Sequence, residues 1–158
     1  MTLLNEINYL IKMLFNSKPK TINELEIVEM EHFPFSGYLA MSWCGKLITK
    51  DKNKIDEVTK RHETIHLKQA QQHSSWTSYY IRYLIEWFKG KPFKKPYNNS
   101  AYYTIPFEVE AYANENKEGY EVNYDKDNLK IKYTFKNRKE LFQNFKNLSE
   151  WKKYIKSL

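Results

Sequence analysis

His62-Glu63-Thr64-Ile65-His66, in the middle of this 158-residue chain, decides how the sequence is interpreted. The segment matches H-E-x-x-H, a pattern in which two histidines hold a metal ion and the glutamate acts on a bound water. The geometry requires a helix, because residues i and i+4 then lie on one face, roughly 6 Å apart along the axis. Both imidazoles can reach one ion from there, and Glu63 can reach the position that the protein leaves open.

The sequence around the motif predicts a helix over about residues 55 to 73. The charged residues of this segment fall mostly on other faces, so the two histidines belong to its buried side. A buried imidazole needs a polar partner, which is either a metal ion or an ordinary hydrogen bond in the core. We expect Zn²⁺, a good match for histidine nitrogens. The face that carries the histidines also carries Ile55, Val58, Ile65 and Gln69.

A zinc site needs a third protein ligand, and the histidines outside the motif do not supply it. The extended metzincin pattern fails, because Gln69 and Gln72 stand where it requires a glycine and a third histidine. His73 lies seven residues beyond His66, about 10 Å further along a straight helix. His32 has no supporting spacing, and we interpret it as an ordinary surface or turn histidine.

The segment from residue 105 to residue 115 is the best source of the third ligand. It predicts a helix with a proline in the first turn. Glu108 and Glu110 lie about 200° apart on this helix, so only one of them can face a metal ion. Glu108 shares its face with Ala111 and Tyr112, which favours Glu108 as the inward residue. The alternative is that both glutamates only stabilise the positive end of the helix.

The motif and the later glutamate together resemble the gluzincin metallopeptidases. In that family a glutamate on a later helix, often within E-x-x-A-[D/N], is the third zinc ligand, and Glu108-x-x-Ala111 matches this pattern. The run from His62 to Gln69 is also similar to H-E-x-x-H-x-x-Q in a group of small bacterial zincin-like proteins. The resemblance implies that His62, His66 and Glu108 bind zinc and that Glu63 is the general base.

The resemblance covers about residues 37 to 115 and has one departure. Tyr112 stands where many gluzincins have an aspartate or asparagine that supports the ligands. Support for the ligands must therefore differ here or come from elsewhere in the chain. The family also implies that the strand before the metal helix binds an extended peptide by strand addition, and residues 38 to 44 are the candidate.

Length and pattern favour one compact α+β domain over residues 1–158, with a metal-binding core over about residues 37–118. The expected fold is zincin-like, with a small antiparallel sheet before the metal helix. Strands are predicted at 24–30, 38–44 and 46–49, the last two forming a hairpin or a bulged strand around Gly45. Further helices are predicted near the amino terminus, at 76–89 behind a serine cap, and after residue 137, and a short strand at 130–135.

Several features restrict where this protein acts. The single cysteine, Cys44, excludes an internal disulfide, and we interpret it as a buried strand residue. The first residues lack the basic opening of a signal peptide and instead predict an amphipathic helix packed on the body of the protein. No segment has 18 consecutive apolar residues. We therefore expect a cytoplasmic protein without a transmembrane segment.

The net charge of +7 raises the question of an anionic partner. A nucleic-acid partner is disfavoured, because three of the 26 basic residues are arginine, the residue best suited to bidentate phosphate and base contacts. The segment from Lys89 to Pro96 mixes four lysines with a phenylalanine and could touch an anionic membrane surface. A solvated loop is the interpretation that the sequence favours.

The function that these residues predict is zinc-dependent hydrolysis of a peptide or protein substrate, with Glu63 as the general base. The alternative is an inactive zincin-like scaffold that serves as a binding or regulatory module. The intact Glu63 favours the enzyme, because a purely structural zinc site does not need it.

Overall fold

The computed structural model describes residues 1–93, 101–122 and 148–157. Within these residues the protein combines five α-helices with one three-stranded sheet, which confirms the predicted α+β class. The strand predicted at 130–135 lies outside the described residues. The helices are α1 (Leu3–Asn16), α2 (Glu57–Gln71), α3 (Trp76–Lys89), α4 (Pro106–Asn114) and α5 (Leu148–Lys156), and the strands are β1 (Glu26–Glu29), β2 (Ala40–Trp43) and β3 (Lys46–Thr49).

The sheet precedes α2, as predicted, but it is mixed and not purely antiparallel. The strand order is β1-β3-β2, with β2 antiparallel to β3 and β1 parallel to it. The prediction was therefore correct for β2 and wrong for β1. Local patterning identifies a strand, but its direction relative to a distant partner depends on the path of the intervening chain.

A two-residue hairpin turn joins β2 to β3. Cys44 and Gly45 both have positive φ angles, 48° and 84°, as a type I′ turn requires. A Cβ at Gly45 would lie 2.8 Å from the side chain of Ile22, so glycine is needed here for space as well as for conformation. Cys44 is buried as predicted, but it is a turn residue and not a strand residue. The hairpin is thus the correct one of the two alternatives for this segment.

Packing divides the chain into two compact units, Met1–Tyr79 and Tyr80–Leu158. The core of the first unit contains Leu10 of α1 and Ile48 of β3. Glu6 is also fully buried, and its carboxylate accepts hydrogen bonds from the backbone N–H groups of Glu31 and His32. The predicted amphipathic helix is confirmed, but parts of its apolar stripe are exposed, namely Leu3, Leu4 and Ile11.

Helix α2 lies against β2 within the first unit. Asp56 caps its amino terminus by accepting a hydrogen bond from the backbone N–H of Thr59 at 2.7 Å. The helix ends at Gln71, two residues before the predicted end. Seven of its residues are buried, and they include His62, Glu63 and His66. The sheet and the cap therefore fix the rotation of the helix that carries the motif.

The second unit is built around α4. Pro106 occupies the first turn of α4, as predicted, and Val109 packs with Trp151 and Ile155 of α5. A short 3₁₀ helix, Tyr102–Thr104, leads into α4, and the Trp151 indole donates a hydrogen bond to the Tyr103 carbonyl at 2.8 Å. No helix in the described part of the chain is both long enough and apolar enough to cross a membrane.

Candidate metal centre

The two motif histidines lie side by side on the buried face of α2. His62 and His66 are 7% and 6% exposed, and their Nε2 atoms are 3.2 Å apart. The two rings meet edge to face, with an interplanar angle of 80°. Glu63 is also buried, at 7% exposed. The helix therefore presents the two imidazoles as a pair, with the carboxylate next to them in sequence, as the motif predicts.

The spacing of the two nitrogens fits a shared metal ion. Two nitrogens bound to one tetrahedral zinc at about 2.0–2.1 Å lie roughly 3.3 Å apart. The observed separation of the two Nε2 atoms is 3.2 Å. Helix geometry alone does not impose this value, because an i, i+4 pair can orient its rings in several rotamers. The pair is thus already arranged as two ligands of one ion need to be.

Gln69 contacts His66 at Nδ1, the ring nitrogen that does not face His62. Its Oε1 lies 2.8 Å from His66 Nδ1, and the Tyr79 hydroxyl donates to the same oxygen at 3.4 Å. An amide oxygen only accepts, so this contact calls for a proton on the Nδ1 of His66, and the neutral form of the ring then keeps a lone pair on Nε2. Gln69 is fully buried and sits one helical turn from His66. This contact gives a structural reason for a glutamine at position 69.

Glu108 is the buried glutamate of α4, as the helical wheel predicts. Its side chain is 2% exposed, and its Oε1 accepts a hydrogen bond from the Tyr83 hydroxyl at 2.6 Å. Tyr102 lies close enough for the charge of Glu108 to raise the pKa of its hydroxyl. Glu110 is only half-buried, and its Oε1 accepts a hydrogen bond from the Tyr120 hydroxyl at 2.8 Å. The Glu108 carboxylate thus has a hydroxyl partner on α3 in addition to its place in the first turn of α4.

His62, His66 and Glu108 each offer a ligand atom, and these atoms all lie within 4.8 Å of one another. All three side chains are buried. In the described residues, no other group of three or more histidine, cysteine, aspartate or glutamate side chains has this geometry. Two imidazole nitrogens and one carboxylate oxygen form a donor set that catalytic zinc sites use. The residues present therefore fit zinc in number and in type.

Tyrosines around Glu108 remain protonated at neutral pH. Burial raises the pKa of Tyr102 well above its usual range, and the nearby charge of Glu108 raises it further. The pKa of Tyr112 is raised for the same two reasons, burial first and then Glu108. The protonated hydroxyls are uncharged, so these side chains do not repel a carboxylate at position 108.

The other two histidines lie elsewhere. His32 follows the first strand, and its Nδ1 is 3.4 Å from Glu6 Oε2, so it is a partly buried turn residue with an acidic neighbour. His73 lies beyond the end of α2 and packs edge to face against Tyr79, with ring centroids 5.5 Å apart. Neither is part of the group of three, in agreement with the spacing argument.

Sequence reasoning missed Tyr83 and assigned no role to Gln69. Gln69 carried a signal, because position i+3 from His66 lies on the same helical face and its amide can reach the ring. Tyr83 carried none, because it lies in α3 among other aromatic residues and no spacing relates it to Glu108. The Glu108 carboxylate thus has a hydroxyl partner, Tyr83, that the sequence did not indicate.

No protein-family model, no curated protein and no solved structure matches this chain. The similarity to gluzincins consequently rests on the motif residues and on the glutamate that follows them.

Proposed function

We propose that this protein is a zinc-dependent hydrolase that cleaves peptide bonds. His62, His66 and Glu108 would hold the ion, and Glu63 would act on water. The observation that carries the proposal is the grouping of three buried ligand atoms within 4.8 Å of one another. Glu63, which follows His62 in the sequence and is also buried, is a side chain that can act as a base. A structural zinc site is usually closed by four protein ligands, whereas three ligands leave a position open for chemistry.

Zn²⁺, when bound, supplies Lewis acidity that polarises a carbonyl and lowers the pKa of water towards about 7. The residues of the chain transfer the proton and orient the ligands. Glu63 accepts a proton from the attacking water and delivers it to the departing amine nitrogen, so that one water and one amide become an acid and an amine. Gln69 keeps the Nδ1 proton of His66 in place, and Tyr83 fixes the orientation of the Glu108 carboxylate.

A peptide is the proposed substrate because β2 is suited to pair with one. Within the described residues β2 forms one edge of the sheet, and it lies against α2, the helix that carries the motif. An edge strand leaves one row of backbone N–H and C=O groups available, and an extended peptide can add to it as a further strand. The gluzincin resemblance implies the same role for this strand, and a zincin-like fold for the domain.

The decisive experiment compares Glu63→Gln with the wild type on a mixed peptide library, with mass spectrometry of the products. The amide keeps the size of the side chain but cannot take a proton, so zinc content and fold persist while cleavage falls by about 10²–10⁴-fold. Glu57→Gln, at the exposed start of the same helix, is the matched control and keeps full activity.

Two outcomes would contradict the proposal. Cleavage that survives both Glu63→Gln and a zinc chelator belongs to another site or to a contaminating protease. Absence of cleavage by the zinc-loaded wild type, across peptides of every composition tested, favours instead the inactive scaffold that binds a partner.

A further inference from the structure

Helix α3 is apolar on its outward side as well as on its inward side. Ile81, Leu84, Ile85 and Phe88 follow the spacing i, i+3, i+4, i+7 and are each between 44% and 53% exposed. At 100° per residue these four side chains fall within about 100° of arc, so they form one continuous stripe. We call this stripe the α3 outer face. A water-facing helix side normally carries polar residues, and an exposed apolar stripe of this kind marks an interaction surface.

An aromatic cluster extends the α3 outer face at the carboxyl end of the helix. Phe93, which follows α3, is 81% exposed. Its ring lies 5.7 Å from that of Trp87 and 6.1 Å from that of Phe88, measured between centroids. Three aromatic rings therefore meet where the helix ends. Large aromatic side chains at the edge of an apolar stripe are typical of segments that lie in the interface of a bilayer.

The charges next to the α3 outer face are positive. Arg82 and Lys89 lie beside it on the helix, Lys91 follows the end of the helix, and the sequence continues with Lys94 and Lys95. The one acidic residue of α3, Glu86, is 4% exposed and lies on the opposite side of the helix, 3.1 Å from Arg82 and 2.9 Å from Lys89. Arg82 and Lys89 share one buried carboxylate, so the three groups together keep a charge of about +1, and Lys91 adds a further positive charge.

We propose that the α3 outer face binds the surface of an anionic lipid bilayer, with the helix lying in the plane of the interface. The apolar stripe would enter the boundary between headgroups and acyl chains, and Lys89 and Lys91 would lie among anionic headgroups. A second copy of this chain fits less well, because each copy has a net charge of +7 and would bring the same lysines to the contact. This surface is independent of the metal centre and of the proposed hydrolysis.

Sedimentation with vesicles tests the proposal. The wild type binds vesicles of phosphatidylglycerol and phosphatidylcholine, binds pure phosphatidylcholine much more weakly, and is released as salt rises from about 0.05 M to about 0.5 M. The double variant Leu84→Gln/Phe88→Gln binds the anionic vesicles at least about tenfold more weakly than the wild type does.

The variant Lys91→Gln tests the contribution of charge. It weakens binding to the anionic vesicles about fivefold and leaves the residual binding to phosphatidylcholine unchanged. Phe35→Gln removes an aromatic ring that is 67% exposed outside this surface, and it binds like the wild type.

Tryptophan fluorescence provides a readout that needs no change to the stripe. Anionic vesicles shift the emission of the wild type to shorter wavelength, and Trp87→Phe abolishes most of this shift, because Trp87 lies at the edge of the surface. A wild type that ignores anionic vesicles would overturn the proposal, as would a double variant that is folded and still binds fully. Light scattering that finds a dimer in the wild type and a monomer in the double variant would assign the face to a second copy of the chain.

Discussion

The oxygen of one amide determines how His66 can act as a ligand. With Gln69 Oε1 at 2.8 Å from Nδ1, the lone pair of His66 points from Nε2 towards His62. Removal of the acceptor leaves the ring free to change tautomer and to rotate. We expect Gln69→Leu, which keeps the volume and the burial, to lower the affinity for zinc by about 10–100-fold. Gln69→Glu keeps an acceptor oxygen at this position and restores most of the affinity.

Competition with a chromogenic chelator measures this effect, and circular dichroism confirms that both variants are folded. Equal zinc affinities for Gln69→Leu and the wild type would show that this contact does not position the ligand.

The choice between two glutamates gives a second prediction at the scale of residues. Glu108 is 2% exposed and is hydrogen-bonded by Tyr83, whereas Glu110 is half-buried and is hydrogen-bonded by Tyr120. Glu108→Gln weakens zinc binding by about tenfold or more, because a neutral amide is a poor ligand for zinc. Glu110→Gln is its matched control and binds zinc like the wild type. The opposite ranking in a zinc titration would mean that α4 turns its other face, half a helical turn away, towards the ion.

The sequence was informative about these residues to different degrees. The i, i+4 spacing identified His62 and His66, and the periodicity of the later helix distinguished Glu108 from Glu110, because both signals are local. Tyr83 could not be found in this way. It approaches Glu108 from a position 25 residues earlier in the chain, and such a contact depends on how two helices pack and not on any local pattern.

Glu6 links α1 to the turn that follows β1, and we expect this link to stabilise the folded protein. Burial raises the pKa of Glu6, but the hydrogen bonds from the backbone N–H groups of Glu31 and His32, together with the His32 side chain, outweigh it, so the pKa lies below its usual value of 4.5. A glutamine at position 6 has one amide oxygen, which can accept a hydrogen bond from only one of these N–H groups. Its NH₂ group would face the other N–H, and two donors cannot hydrogen-bond to each other. Glu6→Gln therefore costs about 1–3 kcal/mol of folding free energy at neutral pH.

The pH dependence of this cost follows from the lowered pKa. A carboxylate with a lower pKa in the folded state stabilises the protein fully above the pKa of the unfolded chain, and this stability is lost as the pH falls through the folded-state pKa. Urea denaturation should thus give a large difference between wild type and Glu6→Gln at pH 7, and a difference that shrinks steadily below about pH 4.5. Glu24→Gln, at an exposed position, is the control. A difference that persists unchanged at low pH would show that the charge of Glu6 is not involved.

Individual elements were predicted better than their arrangement. The helices α2, α3 and α4 begin and end within about two residues of their predicted positions, since caps, proline and periodicity mark them locally. The parallel pairing of β1 with β3 was not predicted, because the sequence of residues 26–29 does not indicate whether the partner strand runs parallel or antiparallel. The burial of Glu6 was not predicted either. A glutamate within an apolar stripe is usually exposed, and the backbone donors that make it stable here come from residues 31 and 32.

At the scale of the whole molecule, the proposed ligands are far apart in sequence. His62 and His66 lie in one helix, and Glu108 lies more than 40 residues later. An ion that is bound by all three would stabilise the folded chain over the unfolded one, because the unfolded chain does not hold these groups together. An ion that is bound by the two histidines alone would need only a local helix. Thermal unfolding distinguishes these two cases.

We expect added zinc to raise the melting temperature of the metal-free protein. At a zinc concentration about 100 times the dissociation constant the stabilisation is about 2.7 kcal/mol, which corresponds to roughly 5–10 °C for a chain of this size. His66→Ala abolishes the shift and Glu108→Gln reduces it by at least about half, while Glu110→Gln leaves it intact. Magnesium, which prefers oxygen ligands, is the control ion and produces no shift. A zinc-induced shift that Glu108→Gln leaves at its full size would mean that the ion binds α2 alone, because the carboxylate of α4 would then add nothing to the stability of the complex.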